Sequence, residues 1–315
     1  MAPAISSQHD IRKDFERPAR IEFPDASPYS PQIAALGKML FFDPRLSGAQ
    51  NMSCATCHNP SFGWETPVAR AIGALNQPLD RHAPTVENLA EAPALFWDGR
   101  AATLEEQAVG PITHPKEMNA TLEEVVSRLG GIATYRRLFN VAFPGEGLSR
   151  DTVLRAIATY QRTLRSGWSS FDDWVQGDDA AISEAAKRGF DLFVGAANCA
   201  GCHNGWAFTD HGFHAVGIPS GDPGRGAIDP DSMGMFKTPG LRNVALRAPY
   251  MHDGSIATLR GVLRHYQRGG VGTARRDMSI APLDLTEDDI RDLQAFLESL
   301  TAHDPHVRAP ALPAE

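Results

Sequence analysis

Cys54-Ala55-Thr56-Cys57-His58 is the stretch on which the reading of this chain turns, and Cys199-Ala200-Gly201-Cys202-His203 repeats it. In a C-x-x-C-H segment the two thiols can add to the vinyl groups of one haem, while the adjacent imidazole is placed under the iron as its proximal ligand. A single copy could be chance, or half of a zinc or thioredoxin-like motif. Here all four cysteines of the chain fall inside the two copies. None remains for a disulfide, a zinc site or a catalytic thiol, so the chain asks for two covalently held c-type haems, on Cys54, Cys57 and His58 and on Cys199, Cys202 and His203.

Working outward, a helical pattern precedes each copy. Ile33, Leu36, Gly37, Met39 and Leu40 lead into Phe41-Phe42-Asp43-Pro44, and Gly189, Phe190, Leu192 and Phe193 lie in 185–194 ahead of the second copy. Helix, short loop and C-x-x-C-H therefore form an internal repeat. After the first copy, residues 59–98 carry five prolines and little periodicity, and a loop of that length is expected to wrap something, here a haem. Helical patterns resume over 103–109, 121–129, 133–139 and 151–164, with Thr121 and Glu124 as a capping box. Past the Gly- and Pro-rich 204–250 they return over 258–268, stopped by Gly269-Gly270, and over 286–300. Strand signals are nearly absent. The expected fold is mainly α, with an irregular arm at 1–30, one cytochrome c-like domain at 31–165 and a second at 166–315, the junction lying within 165–179.

With 315 residues, 42% of them hydrophobic, the chain is long enough for two cores. The net charge of −8, to which haem propionates would add, excludes nucleic acid as the expected partner and favours a neutral or basic protein. No run of some 18 apolar residues exists to span a membrane. Covalent haem attachment belongs to the periplasm or its equivalents. Since residues 1–10 lack the regions of a signal peptide, a periplasmic location with the leader already removed is the expectation.

Several further stretches carry a resemblance. Leu40-Phe41-Phe42-Asp43-Pro44-Arg45-Leu46-Ser47, Phe96-Trp97-Asp98-Gly99-Arg100-Ala101, Gln107, Pro111, Glu117-Met118, Leu241-Arg242-Asn243-Val244-Ala245 and Pro249-Tyr250-Met251-His252-Asp253-Gly254 occur in this order over residues 31–302. In these segments the chain resembles the bacterial di-haem cytochrome c peroxidase/MauG family. The resemblance implies that the first haem meets hydrogen peroxide, that Glu117 is the general acid–base on its open side, that Gln107 lies beside the pocket, and that Trp97 relays electrons between the haems.

Against that pattern two positions depart from the peroxidase branch. Counted back from Pro84-Thr85-Val86, the place of a histidine that blocks the first iron is taken by Ala74. His82 falls where the family has a calcium-binding asparagine, and Arg247 where a calcium-binding carbonyl stands, so an inter-haem calcium is left open. The sixth ligand of the second iron, methionine in the peroxidases and tyrosine in MauG, falls on Tyr266. His265, about 100° round the same helix, and Met278 are the alternatives. Phenolate favours ferric and higher-valent iron, thioether ferrous iron.

The resemblance therefore points to the MauG-like branch. It implies an oxidoreductase that uses hydrogen peroxide to reach a high-valent, bis-Fe(IV)-type state and then oxidises Trp or Tyr residues of a partner protein. The alternatives are a peroxidase drawing electrons from a small cytochrome or copper protein, and a di-haem electron carrier without catalysis. Ala197 stands where MauG has a tryptophan before its second motif, which speaks against methylamine dehydrogenase as substrate; Trp206 or another of the five tryptophans could provide a different electron route. His252 is expected to bond a haem propionate, and His114, His211 and His214 to be loop or outer-shell residues.

Overall fold

A computed structural model describes residues 10–25, 27–271, 275–303 and 307–314. The helices are α1 (Pro31–Phe42), α2 (Cys54–Cys57), α3 (Leu104–Thr113), α4 (Leu122–Gly131), α5 (Ala133–Ala142), α6 (Arg150–Thr163), α7 (Ser170–Val175), α8 (Glu184–Val194), α9 (Leu259–Gln267) and α10 (Glu287–Ser299). The fold is mainly α, in two cytochrome c-like halves. Paired strand is confined to β1 (Phe213–His214) against β2 (Phe236–Lys237), antiparallel, with Phe213 opposite Lys237. Among the described residues no helix is long and apolar enough to cross a membrane.

Helix starts follow side-chain chemistry. Ser30 accepts from the Ile33 amide with Pro31 at the first helical position, Thr121 and Glu124 close a capping box, and Thr286 pairs in the same way with Asp289. Pro111 lies inside α3 without ending it, because so near the C-terminal end its missing amide costs a single helical bond. That is why α3 runs past the expected stop at 109. Gly269 and Gly270, at φ +70° and +89°, stop α9 where β-carbons would be strained.

The halves repeat one packing device. In the first, α1 crosses α6 so closely that a β-carbon on Gly37 would overlap the Ala156 carbonyl. In the second, α8 crosses α10 with Gly189 against the Asp292 carbonyl. Around the first crossing Leu36, Leu40, Val125, Leu129, Phe139 and Val153 form one core; around the second, Phe171, Phe190, Phe193, Phe208, Phe296 and Leu293 form another. Phe-Phe-Asp-Pro-Arg is structural: the fully buried Asp43 accepts from the Arg45 guanidinium at 2.7 Å and from the Tyr135 hydroxyl at 2.5 Å.

Two segments differ from expectation. The arm is not wholly irregular, since Ile11–Phe15 forms a 3₁₀ turn and Phe15 is buried in the second core, stacked on Phe208 at 4.9 Å; residues 1–9 lie outside the described residues. The stretch expected to be a plain junction holds α7, which buries Phe171, Trp174 and Val175 in the same core. At the other end the chain returns to the first half: Val307 packs against the Phe41, Trp64 and Tyr160 cluster, and Arg45 donates to the Pro313 carbonyl at 3.0 Å.

Candidate functional site

Both C-x-x-C-H segments set their histidine in the same way. After α2 the chain turns through Gly63 (φ +57°) and Trp64 (φ +63°), which brings the Trp64 carbonyl to 3.2 Å from His58 Nδ1. Phe208, at φ +57°, brings its carbonyl to 3.0 Å from His203 Nδ1. A carbonyl can only accept, so Nδ1 carries the proton and Nε2 is left with its lone pair, as an iron ligand requires. Burial keeps both imidazoles neutral by pushing their pKa values down. The four cysteines form no disulfide, and burial raises Cys54 and Cys199 to about 12. Neutral thiols and a free Nε2, presented twice, fit haem.

Before the first segment opens a cavity of about 760 Å³, of the size that holds a sizeable ligand. Cys54, Cys57, His58, Trp97, Gln107 and Glu117 line it. The structure thus brings together every residue expected at the first haem. Helix α3 carries Gln107, and the turn after it returns to Pro111 through the Met118 amide (3.0 Å), holding Glu117 over the cavity. The Glu117 side chain is 28% exposed. Burial pushes its carboxyl above the ordinary range, against the pull of His114, 3.9 Å away, and of Arg100. A carboxyl so placed keeps its proton to higher pH than an exposed glutamate does.

Ala74 is pinned by its own amide to the Glu117 carbonyl at 2.8 Å, and its methyl side chain has nothing with which to ligate. His82 is occupied elsewhere. It is 2% exposed, with Nε2 3.0 Å from Glu65 Oε2 and Nδ1 3.2 Å from the Val68 and Ala69 carbonyls. Arg247, also buried, reaches Glu65 Oε1 at 3.3 Å. A guanidinium and an imidazole sharing one carboxylate do not fit calcium, which takes six to eight oxygens.

Trp97 donates its indole N–H to the His82 carbonyl at 2.8 Å and meets His252 edge to face at 6.5 Å. His252, expected to bond a propionate, stacks on Phe236 at 3.6 Å, with Nε2 2.8 Å from Ser220 Oγ, and burial lowers its pKa to about 4. At the second segment the three candidate ligands separate. Burial, then the nearby sulfurs of Cys199 and Cys202, pushes the Tyr266 phenol up, which places it at that site. Its hydroxyl has no hydrogen-bond partner among the described residues. His265 instead turns to the Val216 carbonyl at 2.6 Å, and Met278 is fully exposed. Of the remaining histidines, His214 is clamped between Asp210 (2.9 Å) and Asp277 (2.8 Å), while His211 is partly buried with Nδ1 unpaired.

Sequence reasoning missed the Trp64 and Phe208 carbonyls, which have no side-chain signature, and Glu65, whose partners lie 17 and 182 residues away. It also missed Lys237, whose amino group burial brings down to about 8, and Glu87, raised by burial to about 7 with Asn243 donating at 2.9 Å.

Two histidine-centred haem seats on a mainly helical chain, one of them opening on a cavity with a carboxyl and an amide, define a two-haem cytochrome equipped for more than carrying electrons. Family comparison agrees. The model described as di-haem cytochrome c peroxidase matches residues 31–180, and that described as cytochrome c matches 186–301. The chain is 47% identical to the methylamine utilization protein MauG of Methylorubrum extorquens, covering 99% of this chain and 91% of that one. It is 39% identical to the cytochrome c551 peroxidase of Pseudomonas aeruginosa, covering 91% and 84%. Among solved structures, a MauG-like protein associated with microbial copper homeostasis superposes with a TM-score of 0.85 at 34% identity, covering 92% and 95%. The chain belongs to the di-haem cytochrome c peroxidase/MauG family, and is a haem-dependent oxidoreductase of the peroxidase type.

Proposed function

We propose that the protein is a periplasmic di-haem enzyme that uses hydrogen peroxide to oxidise tryptophan or tyrosine residues of a partner protein. The observation that carries this reading is the first cavity, which Glu117 and Gln107 line together with His58 while Ala74 offers no blocking ligand. In this reading Cys54, Cys57 and His58, and Cys199, Cys202 and His203, would hold two c-type haems, which would supply peroxide activation and storage of oxidising equivalents. Glu117 takes a proton from one peroxide oxygen and returns it to the other, so that water can leave. Gln107 orients the bound peroxide. Trp97, its N–H held on a neutral carbonyl, carries electrons between the halves 31–165 and 166–315. Tyr266 would serve the second haem as an anionic ligand that favours its oxidised forms.

Similarity to the cytochrome c551 peroxidases supports a second reading, reduction of peroxide with electrons from a small cytochrome or copper protein. A carrier without catalysis has no use for a carboxyl over an open cavity. The two enzymatic readings separate on one test. Mixed with peroxide and no donor, the fully oxidised holoprotein is expected to react at once; a reaction that starts only after one haem has been reduced would favour the second reading.

A further inference from the structure

The five tryptophans differ sharply in what surrounds their indoles. Trp64 is 2% exposed, and Trp97 donates to a neutral carbonyl. Trp174, also buried, lies under the Arg12 guanidinium at 4.9 Å and donates its N–H to Asp179 Oδ1 over a longer 3.3 Å. Trp206, three residues after His203, has two guanidiniums over its ring, Arg165 at 4.9 Å and Arg17 at 5.9 Å. Cations on the π face bind an electron-rich ring and oppose removal of an electron from it. Trp168 too has the Arg17 guanidinium 6.0 Å from its ring; its exposure and the short bond made by its N–H set it apart. It is 45% exposed, and its indole N–H donates to Asp173 Oδ1 at 2.6 Å, a short bond to a carboxylate. The other oxygen of Asp173 pairs with His303 Nε2 at 3.0 Å, and the His303 amide donates back to the Trp168 carbonyl at 2.9 Å.

A continuous set of contacts joins this indole to the second haem seat. His203 bonds the Phe208 carbonyl, and the Phe208 ring lies 5.5 Å from the Arg242 guanidinium. Arg242, 2% exposed, pairs with Asp172 at 2.8 Å. Asp172 accepts from the amide and hydroxyl of Ser169, both at 2.9 Å, and Ser169 is the neighbour of Trp168.

We propose that Trp168 is the surface relay through which electrons from an aromatic side chain of the partner protein enter this molecule, with Asp173 as its proton acceptor and His303 holding Asp173 in place. This rests on the function proposed above, with hydrogen peroxide as the oxidant. One electron leaves the Trp168 indole inward; its N–H bond breaks and the proton moves along the hydrogen bond to Asp173, leaving a neutral indolyl radical. An electron from the partner's side chain then refills the ring, and Asp173 returns the proton. Two such passages, with two protons released by the oxidised partner, match the two electrons and two protons that reduce hydrogen peroxide to two waters.

The test maps tryptophan oxidation by mass spectrometry in the holoprotein after a few equivalents of hydrogen peroxide without a partner. Oxygen is expected on the Trp168 peptide ahead of the other four tryptophans. Asp173→Asn is expected to lower that yield about tenfold, the scale of one charge-assisted hydrogen bond, and Glu117→Gln is expected to lower it as well. Oxidation concentrated at Trp97 or Trp206 with Trp168 intact would overturn the assignment. So would Trp168 oxidation that is equal in Asp173→Asn, or that persists undiminished in Glu117→Gln, since exposure alone would then explain it. If the haem spectrum does not respond to peroxide at all, the proposed function fails and this inference fails with it; a normal haem response without Trp168 oxidation removes the inference alone.

Discussion

Replacing Glu117 by Gln keeps the size and hydrogen-bonding capacity of the side chain over the first cavity and removes its ability to take up and return a proton. The contacts that place residue 117 are backbone bonds, from the Glu117 amide to the His114 carbonyl at 3.0 Å and from the Ala74 amide to the Glu117 carbonyl at 2.8 Å, so the fold should not respond. Positioned general acid–base groups contribute about 10²–10⁴ in rate. The lower end applies here, because the side chain is 28% exposed and water can stand in for part of the proton transfer. A slowing of about 10², close to 2.7 kcal/mol of barrier, is therefore expected in the second-order reaction of the ferric protein with hydrogen peroxide. The assay is stopped-flow absorbance in the Soret region against peroxide concentration, with two haems per chain confirmed for both proteins. A rate within about threefold of the wild type, well below the expected loss, would refute the role of Glu117.

Four further outcomes follow from the structure. Tyr266→Phe should change the low-spin ferric spectrum of one haem and leave the other alone; if neither responds, the ligand lies elsewhere. With Glu117 in the proposed role its carboxylate form takes the first proton, and since burial raises its pKa, peroxide activation should fall as pH drops through a value above the ordinary glutamate figure of about 4.3. His114→Ala removes the imidazole, 3.9 Å away, whose pull holds the Glu117 pKa down, and should move that limb to higher pH, by less than about one unit because the pair is partly exposed; a shift to lower pH in a rate–pH profile would contradict this. Gly37→Ala should destabilise the first half by about 1–3 kcal/mol in urea unfolding, since its methyl would overlap the Ala156 carbonyl of α6, and an unchanged midpoint would show that the helices can separate without cost.

Much of the fold was legible because the elements that build it are long and periodic. The repeat of Gly37 and Gly189 ahead of the two C-x-x-C-H segments reads in the structure as two equivalent helix crossings. Helix α7 was missed because its six residues are too few to show a period, although Ser169 and Asp172 form the capping box that starts it. Phe15 was missed because a lone aromatic in a proline-rich arm does not reveal which core it enters. At the site, cysteine arithmetic led directly to Cys54, Cys57, His58 and their repeat. Residue types and spacing alone did not distinguish Glu117 from a surface carboxylate; resemblance singled it out, and the cavity it shares with His58 adds the physical setting. The cluster of Glu65, His82 and Arg247 depends on contacts between distant parts of the chain, and no local pattern announces it.

The most direct test adds one equivalent of hydrogen peroxide to the fully oxidised, haem-loaded protein and follows visible and near-infrared absorbance together with electron paramagnetic resonance. The proposed pairing of an open first cavity with Tyr266 as ligand at the second site predicts that both ferric signals vanish together as a near-infrared band appears. Loss of one signal alone, or no change until the second haem has been reduced, would contradict a shared oxidation and return the protein to the electron-accepting peroxidases.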